Sequence, residues 1–219
     1  MVYYLAGLEK EAETHLRKAV ESDPAQWKAH CYLGILLDRK GQSGKAAEHF
    51  RQALNLSSGS DAARVLNNLG VTRMARQDYT GAADLFRQAL ETGGASPRTY
   101  NNLGLALARL GRPEQALEAF RYAGDDASAH NNLGYVLLMD GKPAQAAAHF
   151  EQAVELSPTF YEKAFANLKR ARMAAASDHH RTGSTPNPPL ASSSGTAGRV
   201  IAEAAALPAA AQAMTPETQ

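Results

Sequence analysis

The chain is poor in cysteine: of 219 residues, Cys31 alone carries a thiol. An internal disulfide is therefore excluded, and so is a cysteine-based zinc site. Excess charge is also lacking, with 23 Lys and Arg against 22 Asp and Glu and a formal net charge of +1. That balance argues against nucleic acid or an anionic membrane as the main partner. No apolar run approaches the ~20 residues of a membrane span. Aromatic residues are missing from one end, since the six Phe, eight Tyr and one Trp all fall at or before Phe165. The last 46 residues, from Ala174, hold five of the ten prolines and no aromatic. Buried apolar surface is what offsets chain entropy, and this stretch has little to bury. Composition thus predicts a folded body of about 170 residues and a disordered tail.

What the body does contain is a repeat. Tyr32-Leu33-Gly34, Asn68-Leu69-Gly70, Asn102-Leu103-Gly104 and Asn132-Leu133-Gly134 mark four units. Twelve residues after each Gly stands an Ala (Ala46, Ala82, Ala116, Ala146), and four further on a Phe (Phe50, Phe86, Phe120, Phe150). Three beyond that stands another Ala (Ala53, Ala89, Ala123, Ala153). The glycines step by 36, 34 and 30 residues, so length varies only in the connections. Apolar residues at i, i+3, i+4 in both halves predict two amphipathic helices per unit. Gly41, Gly111 and Gly141 fall where a positive φ would end the first helix. Small residues at the Gly34 and Ala46 positions let two helix backbones approach, and the Phe fills the space above them. One hairpin cannot bury its face alone, whereas a stack can.

This spacing closely resembles the tetratricopeptide repeat (TPR), a helix–turn–helix unit of 34 residues. In family positions the Leu-Gly pair stands at 7 and 8, Ala at 20, the aromatic at 24, Ala at 27 and Pro at 32. Four complete repeats match, over residues 27–62, 63–96, 97–126 and 127–160. Pro158 holds the last Pro position, with Ser58 and Gly94 in its place elsewhere, and Arg73 stands where a large apolar residue is usual. The resemblance implies an all-α TPR superhelical solenoid with a concave face made by the first helices.

Residues 1–26 fit the second half of a further repeat, with Ala12, Leu16, Ala19 and Pro24 in register. A half-repeat leaves an apolar face wet, which predicts a truncated first TPR, upstream sequence, and self-association as one way of covering that face. At the other end, Phe160, Phe165 and Leu168 on a basic helix predict a capping helix over 161–176, followed by a disordered low-complexity tail over 177–219. Compartment stays open between the cytoplasm and, if a leader preceded Met1, the periplasm or envelope.

Catalysis is not expected of these repeats, the alternative being that they are the TPR part of a larger enzyme or sensor truncated upstream. His30 and His130 share one repeat position and His49 and His149 another, which repeat packing explains. His179-His180 offers two adjacent ligands on a flexible chain, a poor metal site. Cys31, read as facing the concave side, has no base or orienting group to make it a nucleophile. No phosphate loop, metalloprotease helix or carboxylate pair occurs, so no cofactor or metal is called for.

The better candidate is a binding surface, because in TPRs positions 2, 5, 6, 9 and 13 of the first helix face the groove. Positions 5 and 6 carry Asn67-Asn68, Asn101-Asn102 and Asn131-Asn132, and position 9 of the last repeat carries Tyr135. A side-chain amide both donates and accepts, and so can bracket the backbone of an extended peptide. Asn68, Asn102 and Asn132 resemble the asparagine ladder of some TPR superhelices. Positions 2 and 13 add Lys28, Arg39, Arg64, Arg98 and Arg109 without an acidic residue among the five groove positions. An acidic protein segment is the expected partner. The carboxylate clamp that holds chaperone tails is not reproduced, since Cys31 and Ile35 stand where it needs Lys and Asn. Asn131 through Val136, Ser157 through Tyr161 and Ala166-Asn167-Leu168 resemble TPR proteins of Tad-type pilus assembly. The 30-residue step requires Gly124-Asp125-Asp126 to end one helix and cap the next.

Overall fold

The computed structural model describes residues 9–157 and 161–182, the side chains of the last five excepted. Among them ten helices follow one another: α1 (Glu9–Ser22), α2 (Trp27–Arg39), α3 (Ser43–Asn55), α4 (Gly59–Ala75), α5 (Tyr79–Glu91), α6 (Pro97–Arg109), α7 (Pro113–Ala123), α8 (Asp126–Met139), α9 (Pro143–Leu156) and α10 (Glu162–Thr182). The described residues contain no strand. Two compact units divide after Thr99, inside α6. In the first unit α1 packs on α2, α2 on α3 and on α4, and α4 on α5. In the second, α8 packs on α7, α9 and α10, and α9 on α10. A first helix therefore touches its own partner and the next first helix, which is how stacked hairpins share a core.

The Gly–Phe pairs set the spacing within each hairpin. Phe86, Phe120 and Phe150 are fully buried and Phe50 nearly so. A Cβ placed on Gly34, Gly70, Gly104 or Gly134 would lie 3.1, 2.5, 2.6 or 2.9 Å from the ring of its own repeat's Phe. Position 8 is glycine because the ring occupies the volume a methyl would need. Ala46, Ala82, Ala116 and Ala146 are buried beside these rings.

The turn inside each hairpin is equally regular. Gly41, Gly111 and Gly141 adopt φ of 74, 71 and 70°. In each, the next N–H reaches back to close the helix end: Gln42 to Leu37 O, Arg112 to Leu107 O, and Lys142 to Leu137 O, all at 2.9–3.0 Å. The second repeat makes the same turn with Gln77 at φ 61°, a conformation that favours glycine. Nearby, Arg73 keeps its side chain half exposed and its Nη1 3.4 Å from Asp78.

The C-terminal helix differs from its expected extent. It continues past residue 176 to Thr182, because Ala174-Ala175-Ala176 is a strong helix former and the first breaker is Gly183. Its buried side is Ala164, Asn167, Leu168 and Ala171, at i, i+3, i+4, i+7. Phe165, expected on that side, is 51% exposed, since it sits about 100° round the helix from Ala164. Pro158, Phe160 and the tail from 183 onward lie outside the described residues, as do the side chains of His179 and His180.

Candidate partner-binding face

Within each unit the repeated asparagines bridge successive first helices. Asn68 Nδ2 on α4 donates to Cys31 Sγ on α2 at 3.5 Å. Asn132 Nδ2 on α8 donates to Asn101 Oδ1 on α6 at 3.1 Å. Asn167 Nδ2 on α10 donates to Asn131 Oδ1 on α8 at 3.0 Å. In all three, position 6 of one helix reaches position 5 of the helix before it. Close approach of first helices makes this possible, and the amide satisfies a polar group that the approach has dried out.

That geometry corrects the expected reach of position 5. Asn67 and Asn131 are 6% and 1% exposed, and Cys31 is 1% exposed rather than facing open space. The next first helix lies over Cys31 and Asn131, and Asn67 is as deeply buried, so position 5 offers little to a partner. Burial also pushes the Cys31 thiol up to about 11, which leaves it protonated and unreactive at neutral pH. Asn68, Asn101, Asn102 and Asn132 are half-buried, with an edge toward solvent. Tyr135 is 39% exposed and Met139, one turn further on, is 42% exposed. Met139 was not singled out from the sequence, where methionine at a variable position carries no signal.

The basic set is less naked than the groove positions suggest. Arg39 Nη2 lies 3.4 Å from Glu9, Arg64 Nη1 lies 3.7 Å from Asp61, and Arg109 pairs with Asp140. These carboxylates stand outside the five groove positions, which is why a count over those positions misses them. Arg98 is half-buried. Lys28 and Arg64 both approach the Trp27 ring, at 5.6 and 5.7 Å from its centre. An indole face favours cations, so this pair keeps two positive charges together at an exposed place.

The four repeated histidines form two matching pairs. His30 and His49 meet Nδ1 to Nδ1 at 3.0 Å, and His130 and His149 at 3.1 Å. His30 Nε2 lies 3.2 Å from the carbonyl of Pro24, which only accepts, so His30 carries its proton there and takes the Nδ1–H of His49. Burial holds His49, His130 and His149 below the usual histidine range, helped by the facing ring for His49 and His149 and by Arg121 for His130. Arg17 also disfavours the charged His49, while Glu48 opposes it; Asp126 likewise opposes the lowering at His130.

The unfolded chain binds these protons more readily, so their contribution is whole above the ordinary histidine pKa of ~6.5. It is lost as pH falls below that value through the lower folded values. The second repeat has Leu66 and Leu85 at the two positions, and Leu85 packs by Leu66. Replacing all four histidines by Leu is expected to shrink the drop in Tm between pH 7.5 and pH 5. An equal drop in the variant would refute the assignment.

No group of three or more metal-ligating side chains occurs among the described residues. Nor is any of their helices long and apolar enough to cross a membrane. Sequence comparison matches the tetratricopeptide repeat over residues 10–62 and 101–159, and a second form of it over residues 61–123. The chain belongs to the tetratricopeptide repeat family. Its TPRs are similar to the type IV pilus assembly protein PilF of Pseudomonas aeruginosa, 33% identical over 123 residues, which cover 54% of this chain and 47% of PilF. The chain spans about half the length of the curated relatives it matches. The solved structure of P. aeruginosa PilF superposes with a TM-score of 0.54 at 25% identity, covering 83% of this chain and 88% of that one. PilW, a type IV pilus biogenesis factor, superposes with a TM-score of 0.56 at 21% identity, over 84% and 91% of the two chains. The pilus-assembly likeness of this TPR protein thus lies with type IV pilus proteins.

Proposed function

We infer that this TPR protein is a non-catalytic scaffold that holds an extended segment of a protein partner against its first helices, in the assembly of a type IV-class pilus or a related secretion machine. One observation carries the reading. On α8 the residues Leu133, Val136 and Leu137 are buried, yet Tyr135 and Met139 at positions 9 and 13 stay open. Those two share a helix face, and leaving such side chains wet forgoes about 1.5–3 kcal/mol each for full burial. An exposed aromatic late in a repeat helix and an exposed methionine at its C-terminal end suit a surface completed by another chain.

Kinship with PilF supports the process. An acidic partner is favoured by Lys28 and Arg64, held together at Trp27, rather than by the full set of five cations. The half-buried amides at position 6 add polar edges to the first helices within each unit. The test uses the full chain as bait in extracts of its host, wild type against Tyr135→Ala/Met139→Ser. The double substitution is expected to cut recovery of a specific partner about tenfold while leaving Tm unchanged. Equal recovery would overturn the reading.

A further inference from the structure

The 30-residue step between the third and fourth repeats leaves a mark on the second unit. Helix α7 has 11 residues, where α3 and α5 have 13 and α9 has 14. It stops at Ala123, and Asp125 caps α8 by accepting the Ser128 N–H at 2.6 Å. Where the missing turn would run, a cavity of about 270 Å³ opens, lined by Asn101, Gly124, Ser128, Asn132, Tyr161 and Lys163. Ser128 and Lys163 hold position 2 of their helices, and Asn101 and Asn132 hold positions 5 and 6, so the notch lies on the proposed partner-binding face. It is rich in donors: the amide of Asn101, whose oxygen is already taken by Asn132, the Tyr161 hydroxyl and the Lys163 ammonium. The neighbouring carboxylates Asp125, Asp126 and Glu162 do not line it; Asp126 pairs with Arg121 at 2.8 Å, and the hydrogen bonds of Asp125 to Ser128 hold its pKa below the usual carboxylate range.

We propose that this notch is a subsite for an acidic side chain of the partner, and that Tyr135 and Met139 receive an apolar residue three to five positions away in the same segment. The proposal rests on the scaffold reading above and gives its partner a motif. Ser128, Asn132, Tyr135 and Met139 follow one another at intervals of four, three and four residues, a single stripe along α8. From Ser128 the rise along the helix is about 10 Å to Tyr135 and about 16 Å to Met139. An extended chain covers that distance in about three to five residues. At one end of the stripe a carboxylate meets Lys163 and the Asn101 amide, and at the other a Leu-like side chain covers the exposed ring and thioether.

Gly124 supplies a clean test. Its φ of −167° is extended backbone open to any residue, and a Cβ there would meet nothing closer than the Ser128 Cβ at 3.7 Å. Gly124→Gln therefore fills the notch without straining the fold, and an unchanged Tm verifies this. Fluorescence anisotropy of the full chain would be measured with labelled decapeptides carrying one Glu and one Leu on a Ser/Thr background. Peptides with the two residues three to five apart are expected to bind at least about fivefold more tightly than those with Gln for Glu. Gly124→Gln and Lys163→Ala are each expected to abolish that preference. Equal affinity for Glu and Gln peptides, indifference to spacing, an unaltered preference in Gly124→Gln, or no binding by any peptide would each overturn the proposal. If bait recovery still depends on Tyr135 and Met139 when the peptides fail, the motif alone falls. If recovery ignores those two residues, the scaffold reading falls with it.

Discussion

Replacing Phe86 by alanine is expected to remove about 3–5 kcal/mol of stability, the range for truncating a buried aromatic. The ring is 0% exposed and rests against Gly70. Its loss removes apolar burial and opens a space that α4, held also by α2 and α3, cannot freely collapse into. Urea denaturation followed by circular dichroism reads the effect as a lower midpoint. The close contact allows a sharper form of the experiment. Gly70→Ala alone places a Cβ 2.5 Å from the Phe86 ring and overpacks the hairpin, which typically costs about 1–3 kcal/mol. In the Phe86→Ala background the same methyl enters the vacated space and is expected to recover stability. The two changes thus carry opposite signs in the two backgrounds. Additive losses would mean that ring and glycine do not share one volume.

A second large effect is expected at the seam. Asn167→Ala leaves the Oδ1 of Asn131 without its donor, in a residue 1% exposed. An unsatisfied buried acceptor costs about 1–3 kcal/mol. Replacing Asn131 and Asn167 together by Leu removes both polar partners with the same branching, and is expected to restore part of that loss. The double-mutant cycle then reports a coupling of the same order. Coupling near zero would show that the amides are neighbours and not partners. Neither substitution touches Tyr135 or Met139, so partner recovery should follow the folded fraction and nothing else.

Much of this architecture could be read before any coordinates. Gly at position 8 and Phe at position 24 occur four times at constant separation, and only a fixed contact keeps such a spacing. The turns were legible through Gly41, Gly111 and Gly141, and Gln77 hid a fourth because its side chain gives no sign of a positive φ. The reach of the asparagines was not legible. Helical periodicity puts positions 5 and 6 near the groove but does not tell how far the next first helix leans over them. That lean is a matter of side-chain volume in the stack, and it covers Asn131 while leaving Asn132 an open edge. The cations were misjudged for a related reason. Arg39 and Arg109 meet Glu9 and Asp140 across helix boundaries, and a position-by-position count sees only one helix at a time. The 30-residue step was visible as a deletion, whereas the notch it opens depends on Tyr161, just before α10, and Lys163 in its first turn.

The asparagine doublet also bears on how a chain like this lengthens. A repeat with Asn at both positions offers an acceptor to the helix after it and a donor to the helix before it, so it is complementary to a copy of itself. Duplicating or deleting such a unit whole leaves no orphaned amide at the new junction, while an insertion inside a unit breaks the pairing on both sides. Length is then free to change in steps of one repeat, and shape in the connections between them. The doublet works as a joining rule written into two adjacent side chains, and it lets recombination alter the extent of the proposed partner-binding face without redesigning its core.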